Sequence, residues 1–182
     1  MQKTILKTIN DLNKWKNNLK ANINFVPTMG NLHKGHLKLI EVAKKDESNK
    51  TLVSIFINPL QFNDKKDFQN YPKTLEIDIN LAFEAGANAI FIPNEKEILN
   101  NKNIIHKKAS KNLTSNLCGQ SRKGHFDGVC TIVLIMLKII NPKKMFLGEK
   151  DWQQVLILKN MISELNLKVD INSIPTQRDL DG

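Results

Sequence analysis

The segment Pro27–His36, which reads PTMGNLHKGH, decides the fold and indicates a class of ligand. It follows an apolar run, Ile23–Val26, and precedes a helical pattern, Leu37–Lys45, so it forms a turn between a strand and a helix. A helix N-terminus carries unpaired backbone N–H groups and a partial positive charge, which attract phosphate. His33 and His36, three residues apart, would share one helix face and donate to the same phosphate group.

Gly35, between the two histidines, leaves room for a nucleotide to lie against the backbone. The segment therefore predicts a site for the α-phosphate of a nucleotide. The alternative is a pair of surface histidines at the start of a helix, which the preceding Pro-Thr-Met-Gly turn disfavours.

Apolar runs suited to buried parallel strands alternate with helical patterns on both sides of this segment. The predicted strands are Ile23–Val26, Leu52–Ile57, Ala89–Ile92, Met145–Leu147 and Val169–Ile174. The predicted helices are Thr8–Leu19, His36–Lys45, Leu75–Ala85, Gly128–Ile140 and Asp151–Leu165. This alternation predicts one α/β domain over residues 1–182, a Rossmann-like doubly wound parallel sheet of about five strands. The least regular region is Asn94–Phe126, with a candidate short strand at Ile104–Lys108 and then a long loop.

Polar segments directly follow four of the predicted strands. They are Pro27–His36, Asn58–Phe62, Gly148–Asp151 and Pro175–Arg178. In a doubly wound sheet the carboxyl ends of the strands share one edge, and ligands bind there near the switch in strand order. The sequence therefore predicts that all four segments meet in one cleft.

Two of these segments carry side chains suited to a second substrate. The amides of Asn58 and Gln61 can hydrogen-bond a neutral or hydroxylated molecule; the alternative is an Asn-Pro turn with Gln61 in solvent. The ammonium of Lys150 can hold a triphosphate or leaving pyrophosphate. Gln154, one turn into the next helix, can orient a second substrate. Asp151 is expected to cap that helix, a structural role sufficient to explain it.

No acidic residue lies between Ile98 and Phe126, which predicts a mobile loop facing anions. A solvated basic loop is the better interpretation of most of its lysines. Arg122 and His125 differ because they lie next to the following helix, and both are assigned to the site.

Composition excludes several classes of protein. Cys118 and Cys130 form no metal-ligand pair, so no residue is assigned to a metal, and a reducing cytoplasm is expected. The N-terminus lacks the apolar core of a signal peptide, and the longest apolar run, Val129–Ile140, is too short to span a bilayer. A soluble protein with no membrane partner is therefore expected. The net charge of +9 favours anionic partners without choosing among them.

The candidate side chains are His, Lys, Arg, Gln and Asn, with no carboxylate pair, Ser-His-Asp order or Walker loop among them. Such a cleft suits a reaction between anions, where catalysis consists of positioning substrates and neutralising phosphate charge. A substrate carboxylate can attack an α-phosphate without a general base because it is already ionised at neutral pH. The product would be an acyl adenylate.

Together the motifs resemble the pantothenate synthetase family, also called pantoate–beta-alanine ligases. The matching segments occur in the family's order over almost the whole chain: PTMGNLHKGH (27–36), SIFINPLQF (54–62), YPKT (71–74), SRKGHFDGV (121–129), FLGEKD (146–151) with Gln153 and Gln154, and RDLDG (178–182). The His-x-Gly-His element alone occurs throughout the HIGH-type nucleotidyltransferase superfamily, whereas the combined set is highly specific.

The resemblance implies a two-step reaction. ATP and pantoate give pantoyl adenylate and pyrophosphate, with Mg²⁺ assisting, and the amine of beta-alanine then displaces AMP to give pantothenate. The resemblance also implies a homodimer for the intact enzyme.

Residue roles follow from the matched motifs. The resemblance implies that ATP binds Pro27, Thr28, Met29, Gly30, Asn31, Leu32, His33, Lys34, Gly35, His36, Gly148, Glu149, Lys150, Asp151 and Gln177. It implies catalytic roles for His36, His33 and Lys150. It places pantoate or beta-alanine at Gln61, Gln154, Asn58, Arg122 and His125, with Asn58 also a candidate to bind magnesium or phosphate.

Two features depart from the family pattern. Cys118 stands where the family usually has glutamate or another non-thiol residue. The family's Ser-Ser-Arg motif and C-terminal lid domain do not occur within residues 1–182. We therefore expect this chain to fold, to bind ATP weakly, and to catalyse poorly or not at all without the elements that exclude water.

Three alternatives remain open at this point. A small adenylyltransferase such as phosphopantetheine adenylyltransferase would suit the length, but the Asn-Pro-x-Gln and Gly-Glu-Lys-Asp segments match the ligase. A nucleic-acid-binding module is disfavoured by the single tyrosine and the lack of a recognition-helix pattern. A tRNA synthetase shares the histidine motif but would need a far longer chain.

Overall fold

Six strands pair in parallel to form one sheet in the computed structural model, which describes residues 3–99 and 106–182. The strands are β1 (Thr4–Leu6), β2 (Ile23–Thr28), β3 (Lys50–Ile55), β4 (Ala89–Phe91), β5 (Lys144–Gly148) and β6 (Asp170–Ile174). Their order is β1-β4-β3-β2-β5-β6. The predicted α/β class and parallel sheet are confirmed. The sixth strand, β1, was not predicted because only Leu6 of its three residues is buried, so it lacks the apolar run that marks the equally short β4.

Helices connect the strands and cover both faces of the sheet. They are α1 (Ile9–Asn17), α2 (Lys34–Lys44), α3 (Lys65–Gln69), α4 (Leu75–Glu84), α5 (Glu95–Leu99), α6 (Lys111–Thr114), α7 (Leu117–Ser121), α8 (His125–Ile140) and α9 (Trp152–Glu164). Single 3-10 turns occur at Pro59–Gln61 and Glu149–Asp151. The long loop predicted after Lys108 is wrong in part, because α6 and α7 lie there, and α5 lies within the region expected to be least regular. The candidate strand Ile104–Lys108 begins outside the described residues, and residues 106–108 form no strand.

The hydrophobic core lies on both faces of the sheet. On one face, α1, α8 and α9 bury residues such as Leu12, Leu137 and Leu158 against the strands. On the other, α2 and α4 bury Ile40 and Ala82. Both faces of a parallel sheet must be covered in this way, as the sequence pattern predicts.

The strand order reverses between β2 and β5, and the two strands separate there. β2 pairs with β3 over all six of its residues, but with β5 only at Asn24 and Phe25. The oxygen of Ile23 faces β5, where it accepts from Lys143, whereas the oxygen of Thr28 faces β3. Because alternate residues face opposite neighbours, Pro27 faces β5 and has no N–H to donate to it. The ladder stops, and a crevice opens beyond it.

Two further observations concern membrane spans and the two cysteines. Across the ranges the structure describes, no helix combines the length and apolarity needed to cross a membrane. Cys118 is exposed, Cys130 is buried, and neither forms a disulfide. Burial raises the pKa of Cys130 to about 12, so its thiol is not a nucleophile at neutral pH.

Candidate functional site

A cavity of about 500 Å³ opens at the carboxyl edge of the sheet, at the crevice between β2 and β5. The four polar segments predicted to meet in one cleft all contribute to its lining, together with the start of α8. The predicted residues that line it are Pro27, Thr28, Met29, His33, Gly35, His36, Asn58, Gln61, Arg122, His125, Gly148, Lys150, Asp151, Gln154 and Gln177. Gly30, Asn31, Leu32, Lys34 and Glu149 are not among the lining residues.

His33 and His36 are joined through the backbone at the start of α2. His33 is the N-cap, and its Nδ1 accepts a hydrogen bond from the N–H of Gly35 at 3.1 Å. The N–H of His33 donates to Nδ1 of His36 at 3.4 Å, and the ring centroids lie 4.2 Å apart. The two rings therefore lie side by side at the start of α2, as the i, i+3 spacing predicts, but the predicted helix start at His36 is wrong, because the helix begins at Lys34 and His33 caps it.

These two hydrogen bonds fix where each imidazole carries its proton. Because each Nδ1 accepts from a backbone N–H, the proton of each neutral ring lies on Nε2. Burial lowers the pKa of His36 to about 4, and the neighbouring His33 also lowers it. At neutral pH, His36 is therefore an uncharged ring whose free donor is Nε2–H.

Asp78, on α4, holds the turn that precedes the histidines. The carboxylate accepts from the N–H of Asn31 at 2.9 Å, from the N–H of Leu32 at 2.7 Å and from Thr74 Oγ1 at 3.0 Å, and is only 2% exposed. Gly30 and Asn31 both have left-handed backbones, with φ of 85° and 53°. Sequence reasoning missed Asp78, although an acid four residues before the buried Ala82 is an available signal.

Asn58 shapes the other side of the cavity. It is 3% exposed, and its Oδ1 accepts from the N–H of Leu60 at 3.0 Å. Its Nδ2 donates to Gln61 Oε1 at 2.9 Å and to the carbonyl of Gly128 at 3.2 Å. Because Oε1 of Gln61 accepts this bond, its amide is oriented with Nε2 left to donate to a ligand.

The start of α8 packs directly on the Pro59–Gln61 turn. A Cβ on Gly128 would collide with the carbonyl group of Leu60, so only glycine allows this approach. Nδ1 of His125, the first residue of α8, lies 2.8 Å from the carbonyl oxygen of Gln61. The helix begins three residues earlier than the predicted start at Gly128. His125 therefore belongs to the helix and faces the cavity.

Charged groups flank the cavity at the start of α9. Lys150 Nζ donates to Asp151 Oδ1 at 3.4 Å, and both side chains are exposed. Asp151 is the N-cap residue of α9, as predicted, but its side chain accepts no helix N–H in the described structure. Glu149 instead accepts from Ser173 on β6, and Lys34 pairs with Asp179 at 3.2 Å outside the cavity.

Gln153, on α9, anchors the two short helices α6 and α7. Its Nε2 donates to the carbonyls of Leu113 and Asn116, both at 2.8 Å, and its Oε1 accepts from the N–H of Gly119 at 3.3 Å. These bonds hold α6 and α7, which lead to Arg122 at the cavity. The sequence pattern gives no sign of this anchoring, because the partners of Gln153 are backbone groups 34 to 40 residues distant.

An apolar wall completes the cavity and was not predicted. Val129, Val133 and Met136 of α8 and Leu158 of α9 line it, as does Tyr71. The helix pattern alone indicates that these residues are buried, but not that one stripe of α8 faces a cavity. The cavity therefore combines polar groups with an apolar wall.

Comparison with known proteins agrees with this geometry. The sequence model of the family described as pantoate-beta-alanine ligase matches residues 4–182. The bifunctional pantoate ligase/cytidylate kinase of Prochlorococcus marinus strain MIT 9301 is 58% identical over 184 aligned positions. That match covers 100% of this chain and 36% of the relative, so the chain spans about a third of that relative's length.

Solved structures give the same result. A crystal structure of pantoate-beta-alanine ligase from Francisella tularensis, complexed with beta-gamma ATP and beta-alanine, superposes with a TM-score of 0.93 at 38% identity. The match covers 98% of this chain and 69% of the other. Pantothenate synthetase from Thermus thermophilus superposes with a TM-score of 0.91 at 36% identity, over 98% of this chain and 64% of the other.

Proposed function

Because the chain belongs to the pantoate–beta-alanine ligase family, we propose that it is the nucleotide-binding domain of an enzyme that joins pantoate to beta-alanine. In the first step the carboxylate of pantoate attacks the α-phosphate of ATP, giving pantoyl adenylate and pyrophosphate. In the second step the amine of beta-alanine displaces AMP. The observation that supports the proposal is a single cavity whose lining includes His33, His36 and Lys150 together with Gln61 and Gln154.

The phosphate side suits ATP. Nε2–H of His33 and of His36 are fixed donors that need no reorganisation when a phosphate binds. Lys150 adds a flexible positive charge at the crevice. Because His36 is neutral, it donates to the α-phosphate without repelling the cations that neutralise the rest of the triphosphate.

The opposite side suits pantoate. Nε2 of Gln61, oriented by Asn58, can donate to a carboxylate or hydroxyl oxygen, and Gln154 faces the same space. Val129 and Val133 offer an apolar surface for the two methyl groups of pantoate. A phosphopantetheine adenylyltransferase is not favoured, because the family model that matches residues 4–182 is that of the ligase.

We propose that Mg²⁺ enters bound to ATP, as part of the substrate. No group of three His, Cys, Asp or Glu side chains suited to a metal occurs in residues 3–99 and 106–182. Mg²⁺ commonly binds substrate phosphates, waters and one or two carboxylates, and Asp151 is a carboxylate on the cavity. Asn58 fits this role poorly because both ends of its amide already bond to the protein. Bound magnesium would offset phosphate charge.

The other assignments rest on the resemblance. We propose that the adenine lies at the backbone of Gln177, after β6, and the ribose at Asp151. We propose that residues 1–182 form the Rossmann-like domain of the enzyme, with the family's lid domain outside them. A cytoplasmic homodimer is the corresponding proposal for the intact enzyme.

Calorimetric titration with Mg·ATP tests the proposal on this chain. We expect weak but saturable binding to the wild type and at least about tenfold weaker binding to His36→Ala, which loses a charge-assisted hydrogen bond. His106→Ala, an exposed histidine outside the cavity, is the matched control. Equal affinity of all three proteins would contradict the assignment of the phosphate site.

A further inference from the structure

The histidines of the cavity differ in where their protons lie. In His33 and His36 Nδ1 accepts from the backbone, so Nε2 carries the proton. In His125 the partner of Nδ1 is the carbonyl oxygen of Gln61, at 2.8 Å. A carbonyl only accepts, so Nδ1 of His125 must carry the proton and Nε2 has a free lone pair.

His125 is well placed to use that lone pair. The residue is 6% exposed and lines the cavity beside Gln61. Within the described ranges this side chain hydrogen-bonds through Nδ1 alone, so Nε2 remains available to a ligand. Gly128, one turn later, allows the close packing against the Pro59–Gln61 turn that fixes the ring.

Burial, the largest influence on the pKa of His125, favours the uncharged ring at neutral pH. Burial lowers the pKa of His125, the hydrogen bond to Gln61 raises it, Arg122 lowers it and Asp151 raises it. Phe126 lies against the ring with centroids 4.9 Å apart and carries no charge. The neutral imidazole is the form that can accept a proton.

Only one substrate group of the proposed reaction must lose a proton before it reacts. The pantoate carboxylate and the ATP phosphates are anions, whereas an alkyl ammonium, with a pKa of about 10 as in lysine, is protonated at neutral pH. Of the other described cavity residues, His33 and His36 present donors, and Asp151 is exposed beside Lys150. His125 is therefore the enclosed base of the cavity.

We propose that Nε2 of His125 takes a proton from the ammonium of beta-alanine and so prepares it to attack the acyl adenylate. This inference rests on the proposed function. The freed lone pair forms the C–N bond, and the C–O bond to AMP breaks with its electron pair remaining on the phosphate. The second proton of the attacking nitrogen passes to water as the adduct collapses, and the imidazolium then releases its proton to solvent.

Separate assays of the two steps test the proposal in the enzyme that contains this domain. Pantoate-dependent exchange of pyrophosphate into ATP reports adenylate formation, and amide formation reports transfer. His125→Asn keeps an N–H near the position of Nδ1 but has no group at the position of Nε2. We expect transfer to beta-alanine to fall about 100-fold more than exchange does, the lower end of the range for a general base.

Two further readouts distinguish a base from a merely structural residue. Hydroxylamine, whose nitrogen is unprotonated at neutral pH, should react with the adenylate at similar rates in His125→Asn and the wild type. The wild-type transfer rate should fall at acidic pH as the imidazole becomes protonated, and the variant should lack this limb. His106→Asn should behave as the wild type in every assay, since His106 lies outside the cavity.

The outcomes separate this inference from the proposed function. Absence of pantoate-dependent exchange in the wild type would contradict the proposed function. If the wild type shows normal exchange and His125→Asn loses exchange and transfer to the same extent, the proposed role of His125 is overturned and the proposed function stands. Nitrogen-15 NMR of the isolated chain gives an independent test that needs no activity: a proton on Nε2 of His125 at neutral pH would also overturn it.

Discussion

The two sides of the cavity are built in opposite ways. The turn Pro27–His36 fixes its histidines through hydrogen bonds between residues two or three apart. The junction between the Pro59–Gln61 turn and the start of α8 fixes His125 through a contact between residues 64 apart, and Asn58 through one 70 apart. The same side chain thus becomes a donor in one place and an acceptor in the other, because its backbone partner is an N–H or a carbonyl. The residue type alone therefore does not decide whether a histidine presents a donor or an acceptor to the cavity.

The strongest test of this comparison is Gly128→Ala at the junction. The new Cβ would collide with the backbone of Leu60, which cannot move aside as a flexible side chain can. We expect the free energy of unfolding to fall by about 3 kcal/mol, the upper end of overpacking costs, measured by urea denaturation. Gly148→Ala, where the Cβ meets nothing within 4 Å, is the control and should change little. Similar stabilities of the two variants would contradict close packing at this junction.

Asp78→Asn tests whether the turn Pro27–His36 depends on a distant side chain as well as on the hydrogen bonds between its own residues. The amide NH₂ would face one of the backbone N–H groups that now donate to the carboxylate, leaving a buried donor unsatisfied. We expect a loss of about 2 kcal/mol in unfolding free energy together with weaker binding of ATP. Glu76→Gln, on the exposed side of α4, provides the matched control. A variant with wild-type stability and ATP affinity would mean that the turn keeps its conformation without the carboxylate of Asp78.

The smallest effect near neutral pH is expected from the pH dependence of stability. The folded-state pKa of His36, about 4, is below its ordinary value of 6.5, so the unfolded chain binds more protons between these values. Stability should therefore be complete above pH 6.5 and fall as pH decreases towards 4, and the lowered pKa of His125 acts in the same direction. Urea denaturation across this range should show a shallower fall for His36→Gln. An unchanged slope would contradict neutral burial of His36.

Sequence patterns were sufficient for features encoded by neighbouring residues. The apolar runs of β2 to β6 predicted the sheet, and four polar segments at their ends predicted the cleft. The start of α2 was misplaced because a histidine, rather than Ser, Thr, Asp or Asn, caps it. Asp151 has the residue type and position of a cap but does not form the bond.

Features made by distant residues could not be predicted in this way. Asp78 contacts a turn 46 and 47 residues earlier, and Gln153 contacts backbone groups 34 to 40 residues earlier. The proton position of His125 depends on a carbonyl in another element. Such contacts depend on how elements pack against one another, which the local pattern of a single sequence does not specify.

Pro27 keeps the crevice between β2 and β5 open through the backbone of the sheet itself. Pro27 faces β5 but has no N–H to donate, so backbone hydrogen bonds cannot extend the pairing of the two strands towards their carboxyl ends. The entrance is thus kept apart by an interruption in the backbone itself, within the central sheet of the molecule. Substrates would therefore enter a preformed crevice, and any movement that closes it would have to come from the surrounding elements.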